Sequence, residues 1–426
     1  MIPAQDLIDR RTRVLGPAYR LFYDHPLHLV RGRGATVWDA DGREYIDAYN
    51  NVPSVGHCHP RVVAALSAQA GELNTHTRYL HDAVIDYAEA LAATFPDPLS
   101  QVILTCTGSE ANDLALRIAW SVSGSRGVIV TDNAYHGVTA SLAEISPSLG
   151  PAHRGAAHVR RVPVADTFRL GTAAEAAFLD GIRSAIASLQ SAGHGVAALI
   201  CDSVFASDGL FVDPPGLLAR AAALVRAAGG LFIADEVQAG LARSGKHMWA
   251  FQRHDVVPDL VTLGKPLGGG HPLASLVAQP RHLDAFGRAT RYFNTFGGNP
   301  VSAIVGSTVL DVIRQEQLMA NADRVGEMLT AGLRDIASRH PLIGDVRGSG
   351  LFVAIDLVEE PRTKGPATSQ AARLMNLLRE NGVLVGLCGP ALNCLKIRPP
   401  LCLTSSQATR VLEGVDSCLV RLRAPA

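Results

Sequence analysis

The chain has 426 residues, 47% of them hydrophobic and 40 of them glycine, which is enough to bury a large core and to form two domains. Basic and acidic side chains balance at 39 each with no basic cluster, which argues against nucleic acid or a membrane surface as partner. No stretch is long and apolar enough to span a bilayer, and the N-terminal MIPAQD lacks a signal-peptide core, so a cytoplasmic protein is expected.

Taken in chain order, the first chemical cluster is His57-Cys58-His59. Neighbours in an extended segment point to opposite sides, so no metal site is expected there. The seven cysteines (58, 106, 201, 388, 394, 402, 418) include no Cys-x-x-Cys pair and read as reduced, mostly buried thiols. QVILTC at 101–106 reads as a buried strand, and the TGSEAN that follows opens a helix running to about Trp120 on the spacing of Leu114, Ile118 and Ala119. Backbone amides at such a helix start form an anion site, to which Gly108 and Ser109 would belong, although Ser109 is also readable as an N-cap. GVIVTD at 127–132 is another strand, ending in NAYHG, where Tyr135 can lie flat on an aromatic ring or simply pack. Val196 to Cys201 is a further strand before a helix near Pro214-Pro215.

LFIADEVQ at 231–238 and LVTLGKPLGGG at 260–270 each end an apolar run at a polar residue. Asp235 and Lys265 are thereby delivered to the carboxyl edges of two strands, where open α/β sheets place ligands. A lysine amine can form a Schiff base with the aldehyde of pyridoxal phosphate, while a carboxylate facing the pyridine nitrogen keeps the ring protonated. Asp235 and Lys265 fit those roles; the alternative makes Asp235 and Glu236 solvated strand-end acids and Lys265 a surface lysine. YFNTFGGNP at 292–300 then offers glycines for close approach and the Thr295 hydroxyl.

Long helical patterns occupy about 299–340, and 350–356, 371–380 and 394–398 read as strand, helix and strand, with a polar loop at 359–366. The expected architecture is α/β: a large, doubly wound, mostly parallel-sheet domain over 51–316, with a smaller α/β domain built from 1–50 and 317–426.

At this point the chain resembles the class III (ω-type) aminotransferases, pyridoxal phosphate enzymes of fold type I. The resemblance runs from GATVWDADGREYIDA at 34–48 and GHCHP at 56–60 to LKIRPPL at 395–401. It implies that Lys265 is the Schiff-base lysine and Asp235 the ring-nitrogen partner. Val237 would pack on the ring face and Gln238 approach the ring hydroxyl. Gly108 and Ser109 would hold the phosphate, and Tyr135 would stack on the ring with His136 beside it. Thr295 would reach the phosphate of the other subunit across the interface of a homodimer, or of a tetramer.

Two departures from the usual family pattern belong together. Lys396 stands where many members carry an arginine three residues before the Pro-Pro pair, and Ala206-Ser207-Asp208-Gly209 stands where they carry the glutamate that gates it. Lysine binds phosphate well as a point charge, so the substrate site could favour phosphate over a keto acid. Alternatively Arg398, on the same face if the segment is a strand, takes over a carboxylate. NTHTRYLHD at 74–82, TGSEANDLA at 107–115, GKHMWAF at 245–251 and GDVRGSGLF at 344–352 look like the phospho-lyase branch, which includes ethanolamine-phosphate and phosphohydroxylysine phospho-lyases. The branch implies elimination of phosphate and ammonia from a small amino-alcohol phosphate to give an aldehyde, with Arg78, Ser207, Lys396 and Arg398 around the substrate. The other reading is an ω-transaminase that passes the amine to pyruvate or another keto acid.

Overall fold

In a computed structural model, residues 4–153 and 155–423 are described; Met1–Pro3 of the N-terminus read above lie outside them. Among the described residues fifteen strands fall into three sheets. At the N-terminus β1 (Leu29–Arg33), β2 (Thr36–Asp39) and β3 (Glu44–Asp47) form an antiparallel ladder. The central strands are β4 (Gln101–Thr105), β5 (Val128–Thr131), β6 (Val159–Val162), β7 (Ala198–Asp202), β8 (Leu231–Asp235), β9 (Leu260–Leu263) and β10 (Ala274–Ala278). Toward the C-terminus follow β11 (Ile343–Ser349), β12 (Phe352–Leu357), β13 (Val383–Leu384), β14 (Gly386–Cys388) and β15 (Cys394–Ile397).

The central sheet has the order β4-β10-β9-β8-β7-β5-β6, with every pair parallel except those made by β10. Strands β8, β9 and β10 are buried along their whole length, which is why they read as continuous apolar runs rather than alternating ones. The Gly108–Ser123 helix packs on this sheet through Leu114, Ala115, Ile118 and Ala119. The sheet's parallel strands point β4, β5, β7, β8 and β9 toward one edge, and that edge carries the polar residues singled out by the sequence.

Strands from the two ends of the chain come together. β13 pairs in parallel with β3, while β11, β12, β15 and β14 form their own antiparallel sheet. The helices Pro300–Gln315 and Leu318–Arg339 connect the large sheet to this part, and packing of the first buries Val305 and Val309 completely. Two local differences from the sequence reading matter. The helix placed near Pro214-Pro215 begins at Leu217, after Gly216 adopts a positive φ of 75°. β15 stops at Ile397, and the Arg398 amide donates to the Ala48 carbonyl at 2.9 Å, so Arg398 leaves the sheet to bind the N-terminal segment. No helix among the described residues is long and apolar enough to cross a membrane.

Candidate active site

The turn after β4 builds an anion cradle. Thr107, not Ser109, is the N-cap: its hydroxyl accepts from the Glu110 amide at 3.1 Å, and Glu110 Oε2 accepts from the amides of Cys106 (2.7 Å) and Thr107 (3.1 Å). This box leaves the amides of Gly108 and Ser109 as open donors at the positive end of a 16-residue helix. Position 108 must be glycine, since a Cβ there would lie 2.9 Å from Val237 Cγ1. The Ser109 hydroxyl accepts from the Val138 amide at 3.2 Å, which ties the loop after β5 to the cradle.

One turn into the same helix, Asn112 bridges to the end of β8. Its Nδ2 donates to Asp235 Oδ2 (2.9 Å) and to the His136 carbonyl (2.8 Å), and its Oδ1 accepts from the Thr262 hydroxyl. His136 Nδ1 also lies 2.7 Å from Asp235 Oδ2, and the Val237 amide donates to Oδ1 at 3.0 Å. Asp235 is 4% exposed, and its carboxylate oxygens are engaged by Asn112, His136 and the Val237 amide. The solvated-acid reading of this pair is therefore replaced. Glu236 is buried as well, accepting from the Ser203 hydroxyl and the amides of Ala250 and Phe251, and burial raises its pKa to about 7.

Lys265 follows β9 and faces the same space, its Nζ 6.0 Å from the centre of the Tyr135 ring. Burial and then the nearby Arg398 charge lower its pKa, against the pull of Asp235 and Asp202. These elements enclose a cavity of about 100 Å³ lined by eight of the residues singled out above: Gly108, Ser109, Tyr135, His136, Asp235, Val237, Gln238 and Lys265. Thr107, Asn112, Gly137 and Asp202 complete the lining. Asp202 sits beside Asp235 in the β7–β8 register; burial and then that neighbour raise its pKa to about 6.

The remaining predicted residues stand outside this lining. Thr295 is exposed, and Arg78 is exposed with its guanidinium 3.9 Å above the Phe293 ring. Ser207 contributes its carbonyl, which accepts from Asn133 Nδ2 (2.8 Å) and the Gly389 amide (3.1 Å). Lys396 and Arg398 are buried nearby, at 8% and 6% exposure. Arg398 donates Nη1 to Gln238 Oε1, and its guanidinium lies 4.6 Å from the centre of the Tyr49 ring. Burial and then Arg398 lower the Lys396 pKa to about 8. The acid of the 206–209 segment turns away: Asp208 accepts from the Thr131 hydroxyl (2.7 Å) and the Asn133 amide (2.9 Å).

Asn112 and Asp202 were not singled out from the sequence. Asn112 lies inside the quoted helix-opening motif, but its role depends on how that helix crosses β8. Asp202 carried a visible signal, an acid ending a buried strand as Asp235 does. No group of three or more His, Cys, Asp or Glu residues that could hold a metal occurs among the described residues, and His57 is instead paired with Asp47 at 2.7 Å.

The comparisons with known proteins agree on the family and differ on the reaction. A family model described as aminotransferase class-III matches residues 22–419. A phospholyase structure from Arthrobacter, in complex with phosphoethanolamine, superposes with a TM-score of 0.95 and 44% identity, over 99% of this chain and 100% of that one. An alanine–glyoxylate aminotransferase 2-like protein of Drosophila melanogaster is 38% identical over 97% of this chain and 87% of its own length. An ethanolamine-phosphate phospho-lyase homologue of Caenorhabditis elegans is 35% identical over 97% and 93%.

Proposed function

The chain belongs to the class III aminotransferase family, a family of enzymes dependent on pyridoxal 5'-phosphate, and on that premise we propose that it eliminates phosphate and ammonia from a small amino-alcohol phosphate to leave an aldehyde. The observation that carries this reading is the pair of buried cations, Lys396 and Arg398. Among the described residues neither forms an ion pair with a carboxylate, and the one acid of the neighbouring segment, Asp208, is committed elsewhere. A buried cation left this way is costly unless an anionic ligand meets it.

The residues present fit the cofactor. The open amides of Gly108 and Ser109 would hold its phosphate, Asp235 its ring nitrogen, and Lys265 its aldehyde carbon, with Tyr135 and Val237 on the ring faces. Once bound, the group supplies a sink for the negative charge left when the C–H bond beside the substrate amine breaks. Lys265, its pKa lowered by burial, is suited to taking that proton. Lys396 and Arg398 would receive the charge of the phosphate that leaves the neighbouring carbon. One water is consumed overall as ammonia and aldehyde separate.

Assembly as a homodimer is part of the proposal. Thr295 is exposed beside Phe296 (71%), and exposed Leu80 (97%) and Phe293 line a largely apolar cavity with Asn294, the kind of surface a second copy would cover. The deciding experiment measures phosphate and ammonia release over a panel of amino-alcohol phosphates, with and without keto acids. Phosphate release that needs no keto acid is the expected result. Conversion of a keto acid to an amino acid with no phosphate released would move the enzyme to the transaminase reading, which the Drosophila relative's description favours.

A further inference from the structure

Cys388 and Cys394 stand directly opposite each other where β14 and β15 pair antiparallel, in the register that sets Gly386 against Lys396. Residues two apart on a strand share a face, so both thiols project from the same side of the hairpin as Lys396. Directly opposed residues have Cα atoms about 4.5–5.5 Å apart, within the range a disulfide spans. Arg347 donates Nη2 to Cys394 Sγ at 3.4 Å. The hydrogen bond from Cys394 lowers the Cys388 pKa against the effect of burial, and the charges of Lys396, Arg347 and Arg398 add to it. Cationic surroundings of this kind favour the reactive thiolate.

We propose that Cys388 and Cys394 are a redox modification site, a dithiol that a peroxide oxidises to a disulfide beside Lys396. The Cys388 thiolate attacks one peroxide oxygen, the O–O bond breaks, and the other oxygen leaves as hydroxide and takes up a proton to become water. The Cys394 sulfur then displaces the oxygen now on Cys388, the S–O bond breaks, and a second water departs. Two thiols lose two electrons and hydrogen peroxide gains them. Both sulfurs are buried, at 4% and 3% exposure, but β14 is a three-residue edge strand followed by a turn at Gly389 with a positive φ of 84°. Local opening of so short an edge gives a small oxidant access. The disulfide removes the thiolate that offsets the Lys396 charge and tightens the turn whose Gly389 amide holds the Ser207 carbonyl. That effect on the site rests on the phosphate reading of Lys396; the crosslink itself does not.

The test treats the holoenzyme with a slight excess of hydrogen peroxide, blocks free thiols by alkylation and maps tryptic peptides. Both cysteines fall in the peptide 380–396, so the disulfide appears there as the loss of two hydrogens in place of two alkylations, reversed by dithiothreitol. A several-fold rise in KM for the phosphorylated substrate, restored on reduction, is expected with it. Cys394→Ala should keep basal turnover and lose both responses. Over-oxidation or alkylation of both cysteines without the internal bond overturns the proposal. A disulfide that leaves the KM unchanged overturns the coupling to Lys396, whereas absence of phosphate release from every substrate would instead strike the proposed reaction.

Discussion

At the Asp235 end of the site a buried carboxylate meets a set of hydrogen-bond donors, whereas at the Lys396 and Arg398 end two buried cations pair with no carboxylate among the described residues. Asp235 receives hydrogen bonds from Asn112, His136 and the Val237 amide, a set complete before any ligand arrives. Burial, and then the Arg398 and Lys265 charges, loosen the Lys396 proton, with Cys388 and Asp202 pulling the other way. The second arrangement changes charge state near pH 8, where the Lys396 ammonium gives up its proton. Variants at the two ends should therefore differ in kind, the former losing chemistry for every substrate and the latter losing only the phosphorylated ones.

The largest effect is expected at Lys265. Lys265→Ala should lower turnover of any amine substrate by about 10²–10⁴-fold, the usual worth of a positioned general base, and more where covalent attachment is also lost. Borohydride reduction of the wild-type holoenzyme should leave the pyridoxyl group on Lys265, and labelling of another lysine would overturn its role. Next comes Asp235→Asn, which would remove the carboxylate proposed to face the ring nitrogen. A fall in kcat of about 10²–10³-fold with unchanged circular dichroism is expected, by analogy with loss of one preorganised electrostatic partner. Wild-type turnover in that variant would remove Asp235 from the site.

The same contrast explains what could be read from the sequence. Gly108, Ser109, Asp235 and Lys265 each come just after a strand end, so a strand reading and the rule about carboxyl edges locate them without any knowledge of packing. The mostly parallel sheet was legible for the same reason, as β8 and β9 are continuous apolar runs. Asn112 acts on a residue 123 positions away through the way its helix crosses the sheet, and Asp202 meets Asp235 only through the β7–β8 register. The link between Arg398 and Gln238 spans 160 positions and depends on the chain leaving β15 to bond Ala48. Thr295 is a different case, since its expected partner is a second chain.

A smaller and more selective loss is expected from Lys396→Ala. If its ammonium makes a charge-assisted hydrogen bond to the substrate phosphate, the phosphorylated amine should weaken by about 1.5–3 kcal/mol relative to its dephosphorylated analogue. That corresponds to roughly 10–150-fold in the ratio of kcat/KM values. Equal loss for both substrates would show that Lys396 supports the pocket and does not read the phosphate.

The smallest effect, and the sharpest separation of the two ends, lies in the pH dependence of that ratio. Because kcat/KM reports groups of the free enzyme, Lys265 affects both substrates alike and cancels, leaving the cation that only the phosphate uses. Lys396, with its pKa lowered to about 8, is charged below that pH and neutral above it. The preference for the phosphorylated substrate should therefore fall as pH rises through about 8, approaching about tenfold per unit beyond it. Stability moves the other way. Between about 8 and the ordinary lysine value the unfolded chain binds the proton that the folded chain has released, so this group's contribution to stability rises with pH. Loss of preference without loss of stability thus distinguishes deprotonation of Lys396 from alkaline unfolding. Lys396→Arg should flatten the profile because a guanidinium stays charged throughout, and an unchanged fall near pH 8 in that variant would assign the titration to another group.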